Sequence, residues 1–292
     1  MDDRQLAAFV AVAEELSFTR AAARLFVVQS TLSASIRSLE QELGSPLFAR
    51  STRRVALTAV GEALLPSARS ATDSLDRMRS LAADDAAGLR GRVRVGTFSA
   101  LDLVDLPGAL GVFRTRHPLV DLLLRTSTTG STGLAEDLRR GLLDAALLAL
   151  PATQLRGLAV TRLVRSDYVL LVESAHPLAA AGPPSPQDLD GLTFVDTPAG
   201  FGNRVAVDLA FRKAGASRRV ATEVADLPGI PRFVQAGLGP AIVPRAGVEP
   251  LEGVTALALD WPGLVWELSV CTAPRPSAAV QALTAVLAER SA

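Results

Sequence analysis

The sequence predicts an α+β multidomain chain: an N-terminal winged helix-turn-helix, a long linker helix and a C-terminal α/β region of two lobes. Three patterns carry that expectation. Residues 5 to 44 hold three helical runs separated by short breaks, and residues 64 to 82 carry apolar residues at alternating steps of four and three. From residue 92 onward, strand-like and helical runs alternate. With 292 residues, 49% of them apolar and 21% charged, each part can bury a core of its own.

Leu6, Phe9, Val10, Ala13 and Leu16 recur at helical spacing over residues 5 to 15. Ser17 or Thr19 can cap a second helix running through Leu25, because a hydroxyl accepts a backbone N–H that the first turn leaves without a partner. After the break "FVV", a third helix covers residues 29 to 42 and closes at Gly44. It carries Leu32, Ile36 and Leu39 together with Gln29, Ser30, Thr31, Ser33 and Ser35. The stretch "PLFARSTRRVALT" alternates and turns as a small hairpin, with Phe48, Val55 and Leu57 inward and Arg53 and Arg54 at the tip.

A formal net charge of zero conceals segregation. Between residues 18 and 60, Arg20, Arg24, Arg37, Arg50, Arg53 and Arg54 face only Glu40 and Glu42. A basic patch beside a helix bearing short donors and acceptors fits duplex DNA, whose major groove shows a distinct pattern at each base pair. Gln29 can pair bidentately with adenine; Ser30, Thr31 and Ser33 can reach phosphates or base edges. Arg53 and Arg54 suit phosphates or a narrow minor groove. Thr19, Arg20, Arg37 and Arg50 complete the candidate DNA-binding set.

Beyond the hairpin, Leu64, Ala68, Ala71, Leu75, Met78 and Ala82 form a heptad seam, with Arg69, Asp73, Asp76, Arg77 and Arg79 off it. Pro66 is expected near a bend or in the first turn. A narrow seam favours an intermolecular helix; packing on the helix's own domain is the alternative. The stretch 82 to 91, "AADDAAGLRG", reads as a linker.

The strand-like runs that follow are "RVRVGTF", "VDLLLRT", "AALLAL", "YVLLV", "LTFVD", "RRVATEV", "PAIVP" and "WELSVCT". Helical runs fall near residues 107 to 116, 133 to 141, 203 to 214, 230 to 237 and 277 to 290. Such alternation implies parallel sheets with ligands at the carboxyl ends of strands. The midway stretch "PATQLRG" reads as a crossover between the lobes. The domains are therefore 1–59 (DNA binding), 60–88 (linker and dimerisation helix) and 89–292 (a ligand-binding α/β region), with lobe I at 91–161 plus 267–292 and lobe II at 162–266.

Enzyme signatures do not occur: there is no Gly-x-Ser-x-Gly, no Gly-x-Gly-x-x-Gly after a strand and no P-loop. His117 and His176 each precede a proline, in extended turns. Two histidines and one cysteine without cluster spacing offer no zinc site, and no cofactor or metal is expected. Cys271 stands alone, which excludes an intrachain disulfide. The acidic start "MDDRQLAAF" is unlike a signal peptide, and no apolar run approaches the ~20 residues of a membrane span, so a cytoplasmic location away from membranes is expected.

Residues 5 to 61 resemble the DNA-binding domain of LysR-type transcriptional regulators, through "LAAFVAVAEELSFTRAAARL", "QSTLSASIRSLEQELGSPLFAR" and "RRVALTAVG". Further along, "FRTRHPLV", "GLLDAALL", "ESAHPLA" and "VQAGLGPAIVP" are similar to landmarks of that family's effector-binding domain, a fold similar to periplasmic binding proteins. Val28 stands where the family often has serine, Ser30 where proline is frequent, and Ala34 where arginine is common. The resemblance implies a sequence-specific DNA-binding regulator, not an enzyme, acting as a homodimer or homotetramer on double-stranded DNA, with RNA polymerase as a further candidate partner. It also implies a small-molecule effector between the lobes. The loops "GTFSALD", "TSTTGSTG", "DTPAGFGN" and "DLPGIP" then supply Thr97, Ser99, Ala100, Thr129, Ser131, Thr197, Phe201 and Pro228, beside helix N-termini that attract anions. A small-molecule binding protein without a DNA-binding role is the alternative.

Overall fold

The computed structural model describes residues 1–50, 55–82, 88–98, 103–180, 182–259 and 261–291. Two compact units divide the chain, Met1–Gly88 and Leu89–Ala292.

The first unit opens with α1 (Asp3–Glu15), started by a capping box in which the Asp2 side chain accepts from the Gln5 N–H and the Gln5 side chain accepts from the Asp2 N–H. Ser17, rather than Thr19, caps α2 (Phe18–Arg24). α3 (Gln29–Leu43) ends at Gly44 in the left-handed region, as a helix C-cap favours. Leu32, Ile36 and Leu39 are buried on one stripe of α3, against a core that includes Phe9 and Phe48. β1 (Phe48–Arg50) and β2 (Val55–Leu57) pair antiparallel as the expected hairpin. Glu40 of α3 fixes its start by accepting the N–H groups of Leu47 and Phe48, at 2.8 and 3.3 Å.

α4 (Ala59–Ala82) is one continuous helix that contains Pro66 in its interior, where the ring removes a backbone donor without ending the helix. Its first half packs within the unit: Leu65, Ala68 and Arg69 are buried, and Arg69 meets the equally buried Glu14 of α1 at 3.3 Å. The seam therefore divides. Leu64, Ala71 and Leu75 are half-buried, whereas Met78 is 66% exposed.

The second unit is built on a seven-stranded sheet in the order β10-β6-β11-β5-β3-β4, with β9 also paired to β6. The strands are β3 (Gly91–Thr97), β4 (Val120–Thr126), β5 (Ala145–Leu148), β6 (Ala159–Glu173), β9 (Ala241–Pro244), β10 (Val254–Ala258) and β11 (Val265–Thr272). A separate parallel pair is β7 (Thr193–Asp196) with β8 (Arg219–Glu223). Helices α5 (Leu106–Arg116), α6 (Gly130–Arg139), α7 (Gly202–Ala214), α8 (Ile230–Gln235) and α9 (Ala278–Glu289) occupy the expected intervals.

Parallel pairing holds only in part. β3 runs parallel to β4 and β5, but β11 is antiparallel to both β5 and β6, and β6 is antiparallel to β9 and β10. The reason lies in β6. It is 15 residues long, and the expected strand "YVLLV" is only its second half. Its first half pairs with β11, so two long neighbouring strands carry the chain across from one half of the sheet to the other. A register shift between Leu268 and Ser269 interrupts that ladder.

Candidate DNA-reading face and effector cleft

α3 is divided in its chemistry. Leu32, Ile36 and Leu39 are buried, whereas Gln29, Ser30 and Thr31 of its first turn and Arg37 are exposed and Ser33 is half-buried. The Thr19 hydroxyl donates to Gln29 Oε1 at 3.1 Å, so α2 steadies the amide that would read a base. Ser35 is satisfied by its own helix through the Thr31 carbonyl at 3.1 Å. Arg20 folds back on Glu15, at 3.3 Å. Arg24 meets Glu14 at 2.6 Å, which makes it a brace between α1 and α2. Arg53 and Arg54 lie outside the described residues, and Arg50 is described through its backbone alone.

In the second unit, the hydroxyl loops meet where β3, α6, β7 and α7 converge. Ser131, Thr197 and Phe201 line one small void of about 10 Å³, together with Phe98, Asn203 and Trp266. Thr97 ends β3, buried, its hydroxyl donating to the Phe98 carbonyl at 3.2 Å. Ser131 Oγ accepts the Ala149 N–H at 3.2 Å. Thr129 lies beside Ser127, their hydroxyl oxygens 3.1 Å apart. Ser99 and Ala100 lie outside the described residues. Pro228 lines a larger neighbouring cavity of about 500 Å³, walled by Leu227, Pro231, Leu251 and Trp266, with Arg232 and Glu249 on its rim.

The closeness of the loops is set by glycine. The Thr132 N–H donates to the Gly200 carbonyl at 3.0 Å, so one N–H of the α6 N-terminus is already taken. A Cβ on Gly202 would lie 1.9 Å from the Ala149 carbonyl oxygen, and one on Gly200 would lie 2.8 Å from that of Thr129. No other residue type permits this approach.

Behind Thr197 is a charge cluster that sequence reasoning missed. Asp196, fully buried, accepts from the Thr197 N–H at 2.6 Å and from Asn203 Nδ2 at 2.7 Å. Its second oxygen pairs with the buried Arg218 at 2.6 Å, and Arg218 also meets Asp208 at 2.8 Å. The Arg218 guanidinium packs over the rings of Phe194 and Phe211, each 5.4 Å away. Nearby, burial and then the charge of Asp196 push the Tyr168 hydroxyl above its ordinary pKa. A strand-ending Asp before "TPAGFGN" was the available signal for Asp196; nothing in "SRRV" singled out Arg218 from Arg219.

Comparison with known families decides the identity. Residues 4–62 match the model of the bacterial regulatory helix-turn-helix protein of the lysR family, and residues 86–292 match the LysR substrate binding domain. The chain belongs to the LysR family. It is a LysR-type transcriptional regulator, with a DNA-binding helix-turn-helix and an effector-binding domain. It is 36% identical over 266 residues to a probable hydrogen peroxide-inducible genes activator of Mycobacterium avium, covering 88% of this chain and 84% of that protein. Against the like-named protein of Mycobacterium leprae, identity is 33% over 291 residues, covering 97% and 92%. The Hca operon transcriptional activator HcaR of Escherichia coli is 31% identical over 250 residues, with 84% and 82% covered.

Among solved structures, a full-length OxyR variant from Pseudomonas aeruginosa superposes with a TM-score of 0.78 at 25% identity, covering 100% of this chain and 94% of that one. Full-length CbnR complexed with its target DNA matches at a TM-score of 0.54 and 25% identity, with both chains wholly covered. In the LysR frame, α2 and α3 are the helix-turn-helix pair and β1–β2 the wing. No helix among the described residues is long and apolar enough to cross a membrane.

Proposed function

We propose that this LysR-type chain reads an operator through α3 and answers to a ligand held non-covalently between the lobes of its effector domain. The observation that carries the DNA assignment is the divided α3: an apolar stripe wholly committed to the core and an exposed first turn of Gln29, Ser30 and Thr31 that buries nothing. Gln29 reads a base edge. Ser30, Thr31, Ser33, Thr19 and Arg37 position the helix on the groove, and Arg20, Arg50, Arg53 and Arg54 add contacts to phosphate.

The effector contacts Thr97, Ser99, Ala100, Thr129, Ser131, Thr197, Phe201 and Pro228, where lobe I (91–161 plus 267–292) faces lobe II (162–266). Its binding changes the closure of the lobes across β6 and β11, and so the packing of effector domains in the oligomer. The linker segment 60–88, which contains most of α4, joins two copies, and pairs of dimers assemble through the effector domains. The regulator works in the cytoplasm, contacting RNA polymerase at the promoter.

Several relatives are named for induction by hydrogen peroxide, which raises the question of a thiol sensor. Cys271 is the only cysteine, it is buried, and burial pushes its thiol up to about 12. A protonated, enclosed thiol is a poor target for oxidants. This supports a bound ligand, rather than cysteine oxidation, as the signal.

The test is binding of the full chain to a random pool of duplexes, with selection and sequencing of what is retained. A recurring site with two half-sites, bound with an affinity that falls steeply as salt rises, is the expected outcome. Retention without any shared sequence would overturn operator reading.

A further inference from the structure

At the tip between α2 and α3, two positions hold residues that local helix geometry disfavours. α2 ends in a Schellman arrangement: the Phe26 N–H donates to the Ala23 carbonyl at 3.2 Å and the Val27 N–H to the Ala22 carbonyl at 3.0 Å. That pattern places Phe26 at the left-handed position after the cap, with φ of 55°. Glycine or asparagine is the usual occupant, because a Cβ crowds the backbone there. Two residues later Val28 is the N-cap of α3, and its side chain supplies no hydrogen bond to the helix, where serine, threonine or aspartate would.

Neither apolar side chain is repaid by the core. Phe26 is 95% exposed, Val28 66% and Val27 between them 40%. A strained aromatic and an uncapped valine, both facing out, are costs to the isolated domain, and they leave an apolar patch free to meet a partner. The patch is continuous with Gln29, the first residue of α3, so the surface that covers it is the one that α3 enters. A major groove offers one apolar feature to such a patch, the C5-methyl group of thymine.

We propose that Phe26 and Val28 form an apolar prong that recognises thymine methyl groups at the edge of each half-site, adding specificity beside the base contact of Gln29. The prong rests on the operator-reading assignment. Its chemistry differs from that of Gln29: it senses a methyl group and is indifferent to hydrogen-bonding groups.

The experiment uses the full-length protein and the duplex that it enriches from a random pool, with each thymidine replaced in turn by deoxyuridine, which lacks only the methyl. The wild-type chain should lose about 3- to 10-fold in affinity at one or two thymines per half-site. Phe26→Asn and Val28→Ser restore the locally preferred residues, so both should raise the Tm while abolishing the deoxyuridine effect at those positions. Wild-type indifference to every deoxyuridine, or an unchanged deoxyuridine penalty in both variants, would overturn the prong. So would a fall in the sedimentation coefficient of the DNA-free variants, which would assign the patch to a second copy of the chain. If the wild type enriches no duplex at all, the operator-reading assignment fails first, an outcome distinct from an enriched operator that ignores methyl groups.

Discussion

Replacing Asp196 with asparagine probes how firmly the effector domain depends on its buried charge cluster. The substitution keeps the side chain's shape and one oxygen for the Thr197 N–H and Asn203 Nδ2, now at 2.6 and 2.7 Å. It removes the charge opposite Arg218, which is itself buried and 2.6 Å away, and turns an NH2 group toward a cation. Breaking a buried pair by removing one partner costs about 3–5 kcal/mol. Asp208 remains on the same guanidinium at 2.8 Å, so the lower end, about 3 kcal/mol, is expected. Asp208→Asn is the control. Its carboxylate is 32% exposed and leaves Asp196 in place, so a loss below about 1 kcal/mol is expected. Both tryptophans, Trp261 and Trp266, lie in the second unit, so their fluorescence during urea unfolding reports that domain alone. Equal losses for the two variants would refute the reasoning, because the buried pair would then contribute no more than the half-exposed one.

Three further outcomes follow from the same geometry. Leu75→Asp places a charge where Leu75 and the exposed Met78 are proposed to meet a second copy, and should lower the sedimentation coefficient; unaltered assembly would return α4 to a purely internal role. Gly202→Val forces α7 away from the Ala149 carbonyl, so the Thr132 amide should lose protection in hydrogen exchange; wild-type protection would show that the loops do not need their close approach. Cys271 in the folded chain should resist a thiol reagent that modifies the unfolded chain at once. Because folding raises its pKa to about 12, above the ordinary thiol value, the unfolded chain releases this proton first as pH rises. Its contribution to stability is therefore complete below the ordinary value and lost as pH climbs toward 12, a decline that Cys271→Ala should remove. Rapid modification of the native protein would contradict the burial on which the ligand-sensing proposal leans.

What the sequence made legible was whatever repeats locally. The periodicities of α1 and α3, the Ser17 and Gly44 caps and the apolar runs of β3, β4 and β5 each announce themselves within a dozen residues. The polar side of α3 was legible for the same reason, since Gln29, Ser30 and Thr31 stand beside a stripe of Leu32, Ile36 and Leu39 that alone in this helix is buried. Long-range pairings were not. β10 alternates too weakly to stand out, and the antiparallel course of β6 beside β11 depends on residues about 100 positions apart. Arg69 was legible only as a charge off the seam, because its partner Glu14 lies on another helix. Likewise, no local pattern joins Asp196 to Arg218, and the glycines at 200 and 202 read as turn residues until the Ala149 and Thr129 carbonyls are placed against them.

The central claim is that α3 reads sequence, and Gln29→Ala tests it most directly. The quantity to measure is the ratio of affinities for the selected operator and a random duplex of equal length, at one fixed salt concentration for wild type and variant. Loss of a base-edge contact should lower that ratio by about 1–3 kcal/mol, roughly 5- to 150-fold, while affinity for the random duplex barely changes. An unchanged ratio would contradict the account, for α3 would then hold the backbone without reading it.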